Sequence, residues 1–382
     1  FSHRMLNSII SRKQGVIASS ASTSNLESGI LSLSILSTID IYPDISPTLT
    51  PYLTEVLAVV SRNLKNETAN AALPLDRFTV LRAIQTASYR NLLTLDAAST
   101  DPKIVNISVA RDAIAGSFPL QPRNPDGGLW YYAVYKEWSY LDGMAAVLPY
   151  MASPLSFHDR DLADMKLQIE QLYDHCWQNA TGLLVHGYDW TKTAVWANTV
   201  TGASPYVWGR SLGWFLFGIV DAYELACVGR QAEDKDRTEV CGLMKRLANR
   251  IAPALVHWAD QGTEAWWQLT TYPGREGNWL ESSSTALFTY FLLKGSRVSL
   301  FDRHSDGSGL GSLQKQGLRA YEYMERVFVT DTGNGTIGYN ATVAVCSLNS
   351  TATYEYYTQR PIVENGLLGE ASFVLASLEV ER

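Results

Sequence analysis

From about residue 50 onward the chain is a succession of long segments whose apolar residues recur every three to four positions, and almost nothing in it alternates. The clearest stretches run 52–64, 78–95, 162–177, 211–226, 240–258, 282–300, 313–329 and 365–378. That period gathers apolar side chains on one face of an α-helix, whereas a half-buried strand needs strict alternation. Only 336–339 and 353–357 read as strands, so the expected class is all-α with a few short strands in loops. Several loops also share one device, in which a polar or acidic residue and small residues lead into an apolar helix. It occurs at Leu141-Asp142-Gly143-Met144, Trp208-Gly209-Arg210-Ser211, Leu280-Glu281-Ser282-Ser283 and Glu364-Asn365-Gly366-Leu367. The spacing, near 70 residues, suits helices arranged in pairs. Small residues would let inner helices crowd together, and their polar starts would then face a common funnel. This is an α/α toroid, with amphipathic helices outside and uniformly apolar ones inside; an open helical array is the competing arrangement.

Residues 1–50 are less regular and rich in Ser and Thr, and Pro43 ends any helix before it. We read them as an N-terminal helix plus a connecting loop. No linker divides the rest, so one domain over 1–382 is expected. Hydrophobic residues make up 46% of the 382 and charged residues 18%, enough for a large core and unlike a disordered chain. A net charge of −7 argues against nucleic acid. No apolar run approaches the roughly 18 residues that span a membrane. Six Asn-X-Ser/Thr sequons, at Asn66, Asn106, Asn179, Asn334, Asn340 and Asn349, point to N-linked glycans and an extracellular protein. The start at Phe1, without Met, fits a processed form. Cys227 and Cys241 flank the polar loop 229–237, where a bridge would staple two helix ends. Cys176 and Cys346 either pair or stay free, and with no CxxC spacing a structural metal is not expected.

The chemistry concentrates in three aromatic clusters. In the first, Asp126-Gly127-Gly128-Leu129-Trp130-Tyr131-Tyr132 is followed by Trp138-Ser139-Tyr140-Leu141-Asp142-Gly143-Met144. Asp142 is a lone carboxylate among aromatic and Gly neighbours where an apolar helix begins. Aromatic faces stack on sugar rings, and an acid among them is placed to give or take a proton; equally, Asp is favoured as a helix cap. In the second, His186-Gly187-Tyr188-Asp189-Trp190 precedes Ser204-Pro205-Tyr206-Val207-Trp208-Gly209-Arg210-Ser211-Leu212-Gly213-Trp214. Ser204 and Pro205 read as a helix start. Arg210 and Trp214 then lie one turn apart on one face, a clamp for a sugar bearing a carboxylate. The competing reading pairs Arg210 with a neighbouring acid and buries Trp214 in the core. In the third, Trp266-Trp267-Gln268 leads to Arg275-Glu276-Gly277-Asn278-Trp279-Leu280-Glu281-Ser282-Ser283-Ser284, where Glu281 is either catalytic or a cap.

Taken together, these motifs resemble glycoside hydrolase family 105, the unsaturated rhamnogalacturonyl hydrolases, related to the unsaturated glucuronyl hydrolases of family 88. The resemblance runs from about residue 75 to the end of the chain. It implies an (α/α)6 barrel and action on the 4,5-unsaturated uronic acid, most simply galacturonyl, at the end of a lyase-generated pectic oligosaccharide, with no cofactor and no metal. By the same resemblance Asp142 is the catalytic acid/base, His186, Trp208, Arg210 and Trp214 bind substrate, and Asp76, in Leu75-Asp76-Arg77-Phe78, is a second pocket carboxylate. Tyr131 stands where the family commonly has a substrate-side His, and Trp138 falls in a stretch, 136–140, that departs from the family pattern; both are counted as substrate-binding. The implied reaction needs one carboxyl: Asp142 protonates C4 of the C4=C5 bond, water adds at C5, and the hemiketal collapses. A two-carboxylate glycosidase pairing Asp142 with Asp76 or Glu281, and a non-catalytic carbohydrate-binding protein, are the alternatives.

Overall fold

The computed structural model describes residues 1–17, 19, 21–96, 98–155, 162–229, 235–302, 310–333 and 335–382. The sequon at Asn334 and residues 230–234 of the polar loop lie outside the described residues. Helices are α1 (Ser2–Ser11), α2 (Ser24–Ile41), α3 (Ser46–Ser61), α4 (Glu67–Ala71), α5 (Arg77–Tyr89), α6 (Pro102–Gly116), α7 (Met144–Ala152), α8 (Leu162–Cys176), α9 (Gly209–Cys227), α10 (Lys235–His257), α11 (Ser282–Arg297), α12 (Leu310–Tyr323), α13 (Tyr354–Thr358) and α14 (Leu367–Glu381). Helices α2, α5, α7, α9, α11 and α14 pack each on the next, and α14 returns to α2, closing a ring. Around it stand α1, α3, α6, α8, α10 and α12, each against an inner neighbour. The architecture is a six-hairpin helical toroid.

Burial patterns explain the two layers. Every residue of α7 is buried, as is every residue of α11 from Ser282 to Ser296. On α10 the buried positions form one stripe, Val240, Leu243, Met244, Leu247, Ala248, Ile251, Ala252 and Leu255, the signature of a helix with one face to the core. Inner helices touch closely where side chains vanish. A Cβ on Gly218 of α9 would sit 2.2 Å from the Met144 carbonyl oxygen of α7, and one on Gly29 of α2 would sit 2.0 Å from Thr79 Oγ1 of α5.

The N-terminal 50 residues differ from the reading above: they hold two helices, and α2 is one of the six staves. Its serines and threonine obscure this in sequence. Ser32, Ser34 and Thr38 are buried, and each hydroxyl donates to a carbonyl of its own helix (Ser28, Leu31 and Ser34) at 2.7–2.8 Å, so they enter the core with their hydrogen bonds made. A second correction concerns 353–357. It is not a strand but the start of α13, with the Thr353 hydroxyl accepting from the Tyr356 amide. The short strands form four antiparallel ribbons: Trp138–Tyr140 with Gly187–Asp189, Trp177–Gln178 with Leu183–Leu184, Val329–Asp331 with Ile337–Tyr339, and Thr342–Val343 with Ile362–Val363.

Cys227 and Cys241 form a disulfide from the end of α9 to α10, while Cys176 and Cys346 are free and buried. At the C-terminal end of the inner helices Asp221 lies 2.6 Å from both Lys294 Nζ and Arg82 Nη2 and accepts from the Tyr290 hydroxyl. Burial opposes its ionisation, but the two cations outweigh burial and hold its carboxyl well below the usual range. No helix among the described residues is long and apolar enough to cross a membrane.

Candidate active site

The opposite end of the ring collects the helix starts. Strand Trp138–Tyr140 runs into a single turn, Leu141–Gly143, and then α7, so Asp142 sits at the mouth of an inner helix. It is 8% exposed. Ser211 Oγ, in the first turn of α9, donates a short hydrogen bond to Asp142 Oδ2. His186 Nε2 lies 3.3 Å from the same oxygen, and His186 Nδ1 is 2.8 Å from the Tyr357 hydroxyl. With that hydroxyl donating to Nδ1, Nε2 carries the ring hydrogen and faces the carboxylate. No described residue donates to Oδ1, which leaves one oxygen of the pair open to the cleft.

Asp142, Tyr131, Trp208, Arg210 and Trp214 line one narrow cleft, together with Thr23, Leu26, Tyr132, Tyr140, Val345, Cys346, Ser347 and Leu368. The Arg210 guanidinium rides 5.0 Å over the Trp208 ring and donates to the carbonyls of Val343 (2.6 Å) and Ala344 (2.8 Å). Among the described residues it has no acidic partner, so its charge is free to meet an anion. The Trp208 indole donates to Gln268 Oε1 at 3.1 Å, and the His186 ring packs on it at 4.7 Å.

Asp76 does not line the cleft. It caps nothing on α5 and is fully buried behind Tyr131, whose hydroxyl donates to Asp76 Oδ1 at 2.8 Å; Oδ2 is buried without a partner. Burial pushes this carboxyl up to about 7, partly offset by the Tyr131 hydrogen bond and reinforced by the charge of Asp142. Trp138 is also outside the cleft. It shares a strand face with Tyr140, two residues nearer to Asp142, and packs instead on Tyr135 (5.2 Å) and Trp196 (5.1 Å). Position along the strand makes the difference: of the two aromatic rings that alternation puts on that face, only the one beside the helix start reaches the cleft.

Glu281 is a cap. Its carboxylate accepts from the Ser284 amide (2.6 Å), the Ser283 hydroxyl and the Val343 amide (3.0 Å), wholly buried. Ser204-Pro205 does not start a helix. The Gly187 amide donates to Ser204 Oγ and the Ser204 amide to the Gly187 carbonyl, and the segment runs on extended to Trp208, the residue before α9.

Sequence reasoning passed over Ser211, Tyr140 and Tyr357. For Ser211 the signal was present, since it follows Arg210 in the first turn of an inner helix. Tyr140 shares a strand face with Trp138, and the alternation was there to be used. Nothing local marks Tyr357, which reaches His186 from α13, 171 positions away.

The arrangement offers one acid with an open oxygen, a free cation and aromatic walls. Several known proteins are similar to this chain in sequence or in fold. A protein of the Rhizobium radiobacter picA locus, of 24.9 kDa, is 28% identical over 207 residues, 53% of this chain and 83% of that protein. A family 105 glycoside hydrolase structure from C. acetobutylicum superposes with a TM-score of 0.82 at 24% identity, covering 100% of this chain and 99% of the other. An unsaturated glucuronyl hydrolase from Bacillus sp. GL1, described as responsible for glycosaminoglycan degradation, has a TM-score of 0.62 at 11% identity over 96% of this chain and 87% of its own. The family model of Glycosyl Hydrolase Family 88 matches residues 48–382, which is most of the chain and includes Asp142, Arg210 and Trp214. The protein is thus a glycoside hydrolase, and it belongs to Glycosyl Hydrolase Family 88.

Proposed function

We propose that the chain, acting as one catalytic unit, removes a 4,5-unsaturated uronic acid from the non-reducing end of lyase-generated oligosaccharides, pectic ones in particular. The observation that carries this reading is a single carboxyl, Asp142, sharing a cleft with an acid-free guanidinium, Arg210, and the indoles of Trp208 and Trp214. The guanidinium pairs with the uronate carboxylate while the indoles face the ring. Asp142 then gives its proton to C4. Water, deprotonated by the resulting carboxylate, adds at C5, and the hemiketal collapses with loss of the neighbouring sugar and ring opening to a 5-keto-4-deoxyuronate. A conventional glycosidase needs two carboxylates facing the bond. Here Asp76 stands behind Tyr131 and Glu281 caps α11, which favours the one-carboxyl chemistry.

The cleft is tight, with about 20 Å³ of open room, space for roughly one water. The protein is further proposed to be extracellular and N-glycosylated. Asn66, Asn179, Asn340 and Asn349 are exposed and Asn106 half-buried, as acceptor sites require.

The test is a paired assay with lyase-generated and saturated oligosaccharides of the same composition. Only the first set should be consumed, with loss of the ultraviolet absorbance of the C4=C5 bond, and Asp142→Asn should bind without turnover. Turnover of saturated substrate, or a wild type that only binds, would overturn the proposal.

A further inference from the structure

Past the cleft around Asp142 lies a larger cavity of about 520 Å³, bounded by residues from 12–28 on one side and from 342–345 and 363–368 on the other. Thr23, Arg210, Val345 and Leu368 line both spaces, so whatever is attached to a sugar held over Asp142 extends into the larger one. Its charges are unevenly matched. Arg12 is tied to the buried Glu370 carboxylate and donates to the Ile337 carbonyl at 3.2 Å. Arg210 stands at the neck between the two spaces, where the uronate carboxylate would use its charge. Glu27, in the first turn of α2, accepts from the Thr23 hydroxyl at 3.0 Å and has no cationic partner among the described residues. The other polar groups of the wall are neutral, amides such as Asn25, Asn63 and Asn365 and hydroxyls such as Ser24 and Ser28, and aliphatic side chains complete it.

We infer that this cavity receives the leaving sugar and that Glu27 restricts it to uncharged ones, an assignment that rests on the function proposed above. A sulfated or carboxylated leaving sugar would set an anion against Glu27 in a half-enclosed space with no cation left to pair with it. Amides and hydroxyls hydrogen-bond the hydroxyls of a neutral sugar without such a penalty. Selectivity then comes from a repulsive group as much as from attractive ones.

The experiment uses two unsaturated disaccharides with the same terminal uronyl residue, one with a neutral pectic leaving sugar, rhamnose, and the other with that sugar O-sulfated. The wild type should favour the neutral one by about 100-fold in kcat/KM, and Glu27→Gln should shift the ratio at least about tenfold toward the sulfated one, with Glu27→Lys shifting it further. Equal turnover of both by the wild type overturns the Glu27 assignment while leaving the proposed reaction intact. So does a ratio that neither variant moves. Turnover of neither disaccharide removes the proposed reaction itself, and this assignment with it.

Discussion

At the scale of single residues, the chemistry turns on what surrounds Asp142. Ser211 hydrogen-bonds its Oδ2, so Ser211→Ala should lower kcat by about tenfold with KM little changed. Asp76, behind Tyr131, is raised by burial to about 7, the charge of Asp142 adding to the rise. As pH rises through that value Asp76 gains a charge, which sets a second anion beside the cleft and against a bound uronate. The rate should therefore fall across neutrality, and Asp76→Asn should lessen that fall. An optimum above about pH 8 would contradict the role of Asp142 as an acid. Steady-state rates across pH check all three. That Arg210 and Trp214 would line one space was legible in the sequence, because residues one helical turn apart share a face, whereas Asp142 stood out as a lone acid among aromatic and Gly neighbours at a helix start. The strand period would have added Tyr140 to Trp138 on one face, but it could not have removed Trp138, which is one step further along the strand from the helix start.

Among elements, the helix starts do different jobs behind similar sequences. Leu141-Asp142-Gly143-Met144 and Leu280-Glu281-Ser282-Ser283 look alike, yet Asp142 leaves an oxygen open and Glu281 spends its oxygens on the amides of Ser284 and Val343. Glu281→Ala should cost about 2–4 kcal/mol, from the lost cap on the Ser284 amide and the orphaned buried amide of Val343. Glu281→Gln, which still accepts, should cost less and keep its kcat; calorimetry and rates together separate a cap from a catalyst. The disulfide joins α9 to α10 across 14 residues, and closing a loop of that size contributes about 3 kcal/mol. Reduction should therefore lower Tm while leaving room-temperature turnover in place. Most helices were legible from their period, to within a few residues. Helix α2 was not, since a Ser-rich segment reads as loop until its hydroxyls find carbonyls within a packed ring. Helix α13 was mistaken for a strand because an aromatic run of five residues has no period to betray it.

For the whole molecule, pH acts on stability through buried carboxyls. Burial raises Asp76 from 3.8 to about 7, and it raises Glu370 from 4.5 to about 7 despite the Arg12 guanidinium beside it. Each binds its proton more tightly folded than unfolded, so between about pH 4 and 7 stability falls as pH rises, and above 7 it levels off. The effect over that window is on the order of 3–4 kcal/mol for each group. Asp221 works in the other direction, its contribution being lost as pH drops below the ordinary carboxylate range. Thermal melts should thus show greatest stability on the acid side of neutrality, and Asp76→Asn should flatten the decline toward pH 7. A melt whose midpoint climbs steadily from pH 5 to 8 would contradict these assignments.

The toroid is shut by contact between α2 and α14, elements 326 positions apart at their nearest ends, Ile41 and Leu367. On a ribosome, the five staves already made have a gap along one side until the last has emerged from the exit tunnel. A nascent chain therefore waits, with apolar flanks uncovered, from the emergence of α2 until α14 follows it, and capacity to hold a substrate arrives in one step with that last stave.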